Sequence, residues 1–503
     1  MLTPDDIQLE ELLKSAESSN APLPDVATRQ LRGLILCLHR DIDLINSTNS
    51  HPDSLPLHNG KSSLLTRLEA AVSPIRGLPV EIIGEILSSC ISSDTAVNLA
   101  TTRPLWNLTQ ICSVWRDVAL RLPNLWNNIA VEFPCYNQWR CVCLKALLET
   151  FLSRTGNTTF SLDMSTTMSD DHDLFCQPFV NSVIDCIRPH IGRLRSLKLL
   201  SPAVFMSIMT LPSGMVEALV SVCLVFIGED GDSPFSLESG DGLTDRITTF
   251  DGASNLREVT LISRFSEMHL AVFRFPWSQL THLVVLESHV HFVDGHEALR
   301  QCMCLVYCDI GIASDDCCDA AGTLPPTLLP NLTLLAVHAH SGEEMHGLFL
   351  QPFILPSLQR LKLVSEDLSP WSELNVIYLI KRSKPMNFDY FHSTGLRPRE
   401  VSVILTEFPL IKELSLCFNA RESTISLDAL VTTIARGRLA PNIQLFELEG
   451  QEDGILWRNR VPLPLRIRLR CHPREVRQGF WKTLVKLPTE ETIHIITGSE
   501  DDI

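Results

Sequence analysis

The sequence predicts a chain in two parts: a helical N-terminal portion, then an α/β repeat of short parallel strands with helices. Three observations carry this. Apolar residues fall at helical spacings before residue 132. From about residue 190 a pattern L-x-x-L-x-L recurs with a period near 26 residues. Leucine supplies 77 of 503 residues and apolar types supply 45%, so the chain can bury a large, repetitive core.

Charge and targeting narrow the function classes. The balance of 42 basic and 59 acidic residues gives −17. That argues against broad contact with nucleic acid or an anionic membrane, which needs clustered Lys and Arg. Met1-Leu-Thr-Pro-Asp-Asp lacks the basic segment and apolar run of a secretory signal. No stretch reaches the ~18 apolar residues of a membrane helix. The expectation is a cytoplasmic and/or nuclear protein whose 16 scattered cysteines are reduced and mostly small buried residues.

Four regions follow in order. Residues 1–72 are helical: Val26, Leu31, Leu34, Leu38, Ile42 and Ile45 recur at helical spacings, a polar break runs from Asn46 to Gly60, and helix resumes at Leu64. Residues 73–132 are strongly patterned. Pro79 suits a first helical turn, Glu81 sits near its positive end, and Leu78, Ile82, Ile83, Ile86 and Leu87 form an apolar face. A second helix spans Leu108 to Leu122, with Ile111, Trp115, Val118 and Leu122 on one face and Pro123 ending it. So much apolar surface is hard to bury within about 60 residues, so part of it should face a partner.

Leu78-Pro79-x-Glu81-Ile82-x-x-Glu85-Ile86, Cys112-x-x-Trp115-Arg116-x-x-Ala119 and Pro123-x-Leu125-Trp126 occur in this order. With the Ser-Pro-Ile-Arg lead-in at Ser73, the segment resembles an F-box, specifically the F-box-like proteins abundant in fungi. The resemblance implies a three-helix motif that docks on a Skp-type adaptor, and through it a cullin, in a ubiquitin ligase. By position it implies an adaptor face of Leu78, Pro79, Ile82, Ile83, Ile86, Val114, Trp115 and Trp126.

Residues 133–455 carry the repeat. It appears as Leu194/Leu197/Leu199, Leu219/Val222/Leu224, Leu256/Val259/Leu261, Leu280/Leu283/Val285 and Leu305/Cys308/Ile310. Leu332/Leu335/Val337, Leu358/Leu361/Leu363, Ile411/Leu414/Leu416 and Ile443/Phe446/Leu448 complete it. The interval of 53 between Leu358 and Ile411 is about twice the period, so a degenerate unit is expected near Met386 to Phe391. Pro276, Pro330, Pro356, Pro409 and Pro441 each precede a strand position. This period fits a leucine-rich repeat with one strand and one helix per unit, stacked into an irregular solenoid. The Asn expected after the last leucine is nearly absent, with only Asn419 fitting.

Such an array suits protein recognition. The outward strand positions are expected to include Arg195, Arg257, His282, Tyr307, Gln359 and Glu413, whose mixed chemistry points to a protein target. Residues 456–503 form a C-terminal segment. Residues 458–486 hold nine Lys or Arg and one Glu, and Arg466, Arg468 and Arg470 alternate along a strand, where they could neutralise the chain's own acidic surface or receive an acidic partner.

Catalytic and cofactor chemistry finds no footing. Gly60-Lys61-Ser62 lacks the first glycine of a phosphate loop, since position 55 is leucine. Cys302, Cys304 and Cys308 do not have zinc-knuckle spacing, and Cys308 occupies an apolar repeat position. The acidic stretch Glu229 to Asp245 lacks the ligand alternation of a calcium loop. The expectation is no enzyme, no cofactor and no metal. The function expected is target recruitment to a ligase, with a protein-interaction scaffold lacking ubiquitin function as the alternative.

Overall fold

A computed structural model of the chain describes residues 4–19, 22–47, 54–90, 97–98, 103–133, 138–166, 173–200, 208, 211–226, 247–263, 267–313, 324–339, 349–365, 371, 373–418, 429–430, 433–434, 438–450, 466–471 and 494–497. They belong to two compact units. One takes Met1–Glu132 and Val142–Ser161, the other Phe133–Cys141 and Leu162–Ile503.

The first unit opens with α1 (Pro4–Ser19), α2 (Asp25–Ser47) and α3 (Ser54–Ala71). Leu13, Ala16, Leu31, Leu68 and Ala71 form their shared core. The expected polar break is shorter than the sequence suggested, because α3 begins at Ser54. Pro56 is tolerated there, since the first four helical N–H groups lack partners within the helix. The Arg of the Ser-Pro-Ile-Arg lead-in has a structural task. Arg76 donates from Nε to the Ala70 carbonyl at 2.7 Å and from Nη1 to the Ala16 carbonyl at 2.6 Å, near the C-terminal ends of two helices.

Then come α4 (Val80–Cys90), β1 (Val97–Asn98), α5 (Arg103–Gln110), α6 (Ser113–Arg121), β2 (Asn128–Phe133) and α7 (Gln138–Arg154). The single helix expected over Leu108 to Leu122 is divided. Cys112 is extended, with φ −161° and ψ 174°, so α6 starts afresh at Ser113. The break takes Ile111 off the Trp115 face and leaves it exposed. Residues Val97 and Asn98, from the polar segment between the helices, pair in parallel with Ile129 and Ala130.

The second unit is an α/β arrangement built on one large parallel sheet. Its strands are β3 (Phe160–Thr166), β4 (Leu194–Leu200), β5 (Ser221–Phe226), β6 (Glu258–Ser263), β7 (Glu267–Met268), β8 (His282–His291) and β9 (Tyr307–Ala313). After the short β10 (Thr327–Leu328) come β11 (Leu334–Ala339), β12 (Phe353–Ile354), β13 (Arg360–Ser365), β14 (Tyr390–Thr394), β15 (Glu413–Phe418), β16 (Leu445–Gly450), β17 (Arg466–Cys471) and β18 (His494–Thr497). Neighbours follow chain order, with β7 beside β8 off the main path and β10 paired with β12 in a separate small sheet. The large sheet is not closed into a barrel.

The repeat pattern is the register of this sheet. Leu197, Val222, Val259, Leu283, Cys308, Leu335, Leu361, Phe391, Leu414 and Phe446 stand opposite one another from strand to strand. All ten are buried, as are the first-position leucines from Leu194 to Leu358. One face of each strand therefore lies in a continuous, mostly apolar layer, which is why the residue two positions on is usually apolar too. The gap of 53 holds β14, with Phe391 and Ser393 buried at the repeat positions.

One helix per unit is not what the described residues form. Helices α8 (Asp173–Ile187), α9 (Phe292–Gln301), α10 (Glu373–Ser383) and α11 (Pro398–Glu407) precede only some strands. Between β5 and β8 the layer is filled instead by aromatic rings. Phe275 stacks on Phe250 at 5.1 Å and on Phe273 at 5.2 Å, and meets Trp277 edge-on at 5.4 Å. A polar line runs along the turns before the strands. Asn255, Gln279, Asn331, Ser357 and Asn442 each donate a side-chain hydrogen bond to a carbonyl of the preceding turn. Each stands one residue before the first leucine-type position, not after the last, where the sequence reading sought asparagine.

Candidate functional site

In the first unit the residues proposed for an adaptor face divide by burial. Trp126 is wholly buried. Its indole N–H donates to the Ala119 carbonyl at 2.9 Å, Phe151 meets it edge-on at 4.8 Å, and the Arg154 guanidinium lies 4.3 Å from its ring centroid. Ile83 and Trp115 are also buried, so these three form core and present no surface in this chain. Leu78, Ile86 and Val114 are half-buried, whereas Pro79 is exposed. Ile82 is 46% exposed and its neighbour Val80, which the sequence reading did not select, is 55% exposed. The reason is angular. In α4 the inward stripe runs through Ile83, Gly84 and Leu87, and Ile82 stands one residue, about 100°, off it.

In the second unit the proposed target residues fall on two different lines. His282, Tyr307 and Glu413 share a register line with Glu258, Leu334, Arg360 and Tyr390, on the sheet face opposite the leucines. Arg195, Arg257 and Gln359 belong one residue earlier, and Arg257 and Gln359 precede their strands. Their backbones join a ladder in which each N–H donates to the preceding carbonyl: Val220 to Arg195, Arg257 to Val220, and further on Gln359 to Thr333 and Asp389 to Gln359. They mark the rim at the strands' N-terminal ends. Period-two alternation separates the lines, and the sequence reading merged them.

The open face holds an ordered polar array. His282 stacks on Tyr307 with centroids 5.8 Å apart. The Tyr307 hydroxyl donates to Asp309 Oδ2 at 3.4 Å, and burial, with Asp309 beside it, pushes the phenol pKa up. Asp309 Oδ1 stands 2.8 Å from His338 Nε2, a charge contact when the imidazole is protonated, although the angle is poor for a hydrogen bond. Arg360 lies over the Tyr390 ring at 5.6 Å, and His392 Nδ1 and Ser415 Oγ are 2.9 Å apart. Asp309, His338, Arg360, Lys362 and Tyr390 were missed by the sequence reading. Arg360 and Tyr390 occupy the same offset from the repeat leucines as His282 and Tyr307, while Asp309 and Lys362 stand two residues further along the same face and His338 four; that period-two offset was the available signal.

Among the described residues, Cys302, Cys304 and Cys308 do not share one environment. Cys302 and Cys308 are buried, and burial pushes the first thiol up to about 12 and the second well above its usual range; Cys304 is exposed. His296 is buried, within 3.2 Å of Thr327 Oγ1 and beside the Phe353 ring. Among the described residues no group of three or more His, Cys, Asp or Glu could hold a metal ion. Among them too, no helix is long and apolar enough to cross a membrane. No protein-family model matches the chain, and no curated protein matches it in sequence.

Proposed function

We propose that this chain is a non-catalytic, target-recruiting subunit of a Skp/cullin/F-box type ubiquitin ligase. In this reading residues 73–132 form an F-box-like module that holds a Skp-type adaptor, and through it a cullin. The parallel array is an irregular leucine-rich-repeat solenoid whose open sheet face holds a protein target. The chain would act by proximity, raising the effective concentration of target lysines near a conjugating enzyme.

The observation that carries the reading is the set of large aliphatic side chains left exposed around the start of α4. Ile83 and Leu87 anchor the helix inward, while Val80 and Ile82 in its first turn and Ile75 just before it stay exposed, as does Ile111 of the same unit. Several exposed large aliphatic side chains in one small unit point to an interaction surface. Contact then belongs to Leu78, Pro79, Val80, Ile82, Ile86 and Val114, with Ile83, Trp115 and Trp126 holding them in place. Co-purification with a Skp-type adaptor tests this. Val80→Asp with Ile82→Asp should abolish capture at an unchanged melting temperature, since neither side chain is core. Wild-type protein that fails to bind the adaptor at micromolar concentration overturns the reading. It would favour the scaffold without ubiquitin function, to which the polar segment Ser88 to Pro104 already lends some weight.

A further inference from the structure

We propose that the open face of β13 and β14 docks an acidic segment of the protein target, with carboxylates meeting Arg360 and Lys362. This rests on the target-recruiting reading above and names the chemistry of the segment taken. Arg360 and Lys362 are two residues apart on one strand, so both belong to the open face. Arg360 is exposed and Lys362 half-buried. Their register neighbours are Leu334 and Ala336 on β11 and Tyr390 and His392 on β14, none of them acidic.

Three other cations of this unit pair with carboxylates of the chain. Lys198 is 3.5 Å from Asp163, Lys381 is 2.8 Å from Glu407 and Lys412 is 3.6 Å from Asp389. Among the described residues, no carboxylate lies within 4.0 Å of Arg360 or Lys362. The Tyr390 ring beneath Arg360 leaves guanidinium N–H groups to bind a carboxylate, and partial burial of Lys362 strengthens any charge it meets. Half-buried Leu334 and Val364 supply apolar contact beside the cations. Asp309, two strands to one side, and Glu413, two strands to the other, bracket the patch with negative charge. That bracket favours a short acidic segment over a long acidic run.

The test is selection of a random twelve-residue peptide display library on the immobilised full chain. Enriched peptides should carry Asp or Glu next to an aliphatic or aromatic residue. A synthetic enriched peptide should bind at least about tenfold more weakly to Arg360→Gln/Lys362→Gln, and equally so when its acids become Asn or Gln. Arg360→Glu/Lys362→Glu should abolish binding at the wild-type melting temperature, which guards against misfolding as the cause. Enrichment of neutral or basic peptides, no enrichment at all, or affinity unchanged by both double variants overturns the proposal. Adaptor capture on the same preparations separates the two readings. Peptide failure with adaptor binding intact sinks only this one, and the reverse sinks only the ligase assignment.

Discussion

At the scale of single residues, glycines set two close approaches with opposite consequences. A Cβ on Gly252 would lie 2.6 Å from the Cα of Gly214 and 2.7 Å from its N, atoms that cannot rotate away. Gly214 itself has φ +86°, so neither partner accepts a side chain without strain. Gly252→Ala should cost about 1–3 kcal/mol in urea unfolding, the range for overpacking. Gly84 in α4 differs, because its Cβ would meet Leu122 Cδ1 at 3.5 Å, an ordinary contact. Gly84→Ala should therefore stabilise the chain by up to about 1 kcal/mol through helix propensity. His296 provides a pH handle. Burial lowers its pKa below the ordinary 6.5, so as pH falls the unfolded chain takes the proton first. Its contribution to stability is complete above about 6.5 and declines below that value. His296→Gln should flatten part of the loss of stability between about pH 7 and about pH 5, leaving the share due to His190, whose pKa is lowered in the same direction.

At the scale of elements, the strands were legible because their signal is translational. A leucine that must face the same layer in every strand leaves a fixed offset, and even the unit lacking leucines, Phe391 with Ser393, was found from its neighbours' spacing. The helices were less legible. Ile111 fits the periodicity of α6, yet periodicity does not reveal that Cys112 leaves helical geometry. The polar line from Asn255 to Asn442 was legible in principle, but it lies on the other side of the leucine pattern from where asparagine was sought. The faces proposed for docking were half legible: the sequence selects apolar or outward residues, whereas burial decides which of them reach a surface. The arginine strand continues the sheet, and its register sets Glu447 opposite Arg468 and Glu449 opposite Arg470. The backbone register alone places these opposite charges at paired positions, and charge pairs across strands are worth about 0.2–1 kcal/mol where the side chains meet. Arg468→Glu is then expected to lower the stability of the β16–β17 pairing by no more than about that amount, and Glu447→Lys to restore it. A double-mutant cycle read by hydrogen exchange at β16 measures the coupling, and additive effects would show that the basic strand serves something other than its acidic neighbour.

At the scale of the whole molecule, the units do not coincide with continuous stretches of chain. The sequence suggests a boundary at 132, after the segment that resembles an F-box, yet the first unit also takes Val142–Ser161. The reason lies around Trp126. Phe151 packs edge-on against its ring, Arg154 covers it, and Leu148, Phe151 and Leu152 are all buried. A fragment ending at 132 therefore keeps the wholly buried Trp126 without the α7 residues that enclose it. Removing one such aromatic partner costs about 3–5 kcal/mol, comparable to the entire stability of a small domain. Fragment 1–132 should lack a cooperative melting transition and show red-shifted tryptophan emission, whereas fragment 1–161 should melt cooperatively with buried-type emission. Phe151→Ala in the longer fragment should move it toward the shorter one. Equal melting of the two fragments would mean that α7 is dispensable to the unit. The same pair bears on any adaptor-binding assay, since negative results from a fragment cut at 132 would report loss of the Trp126 core and not the affinity of the α4 face.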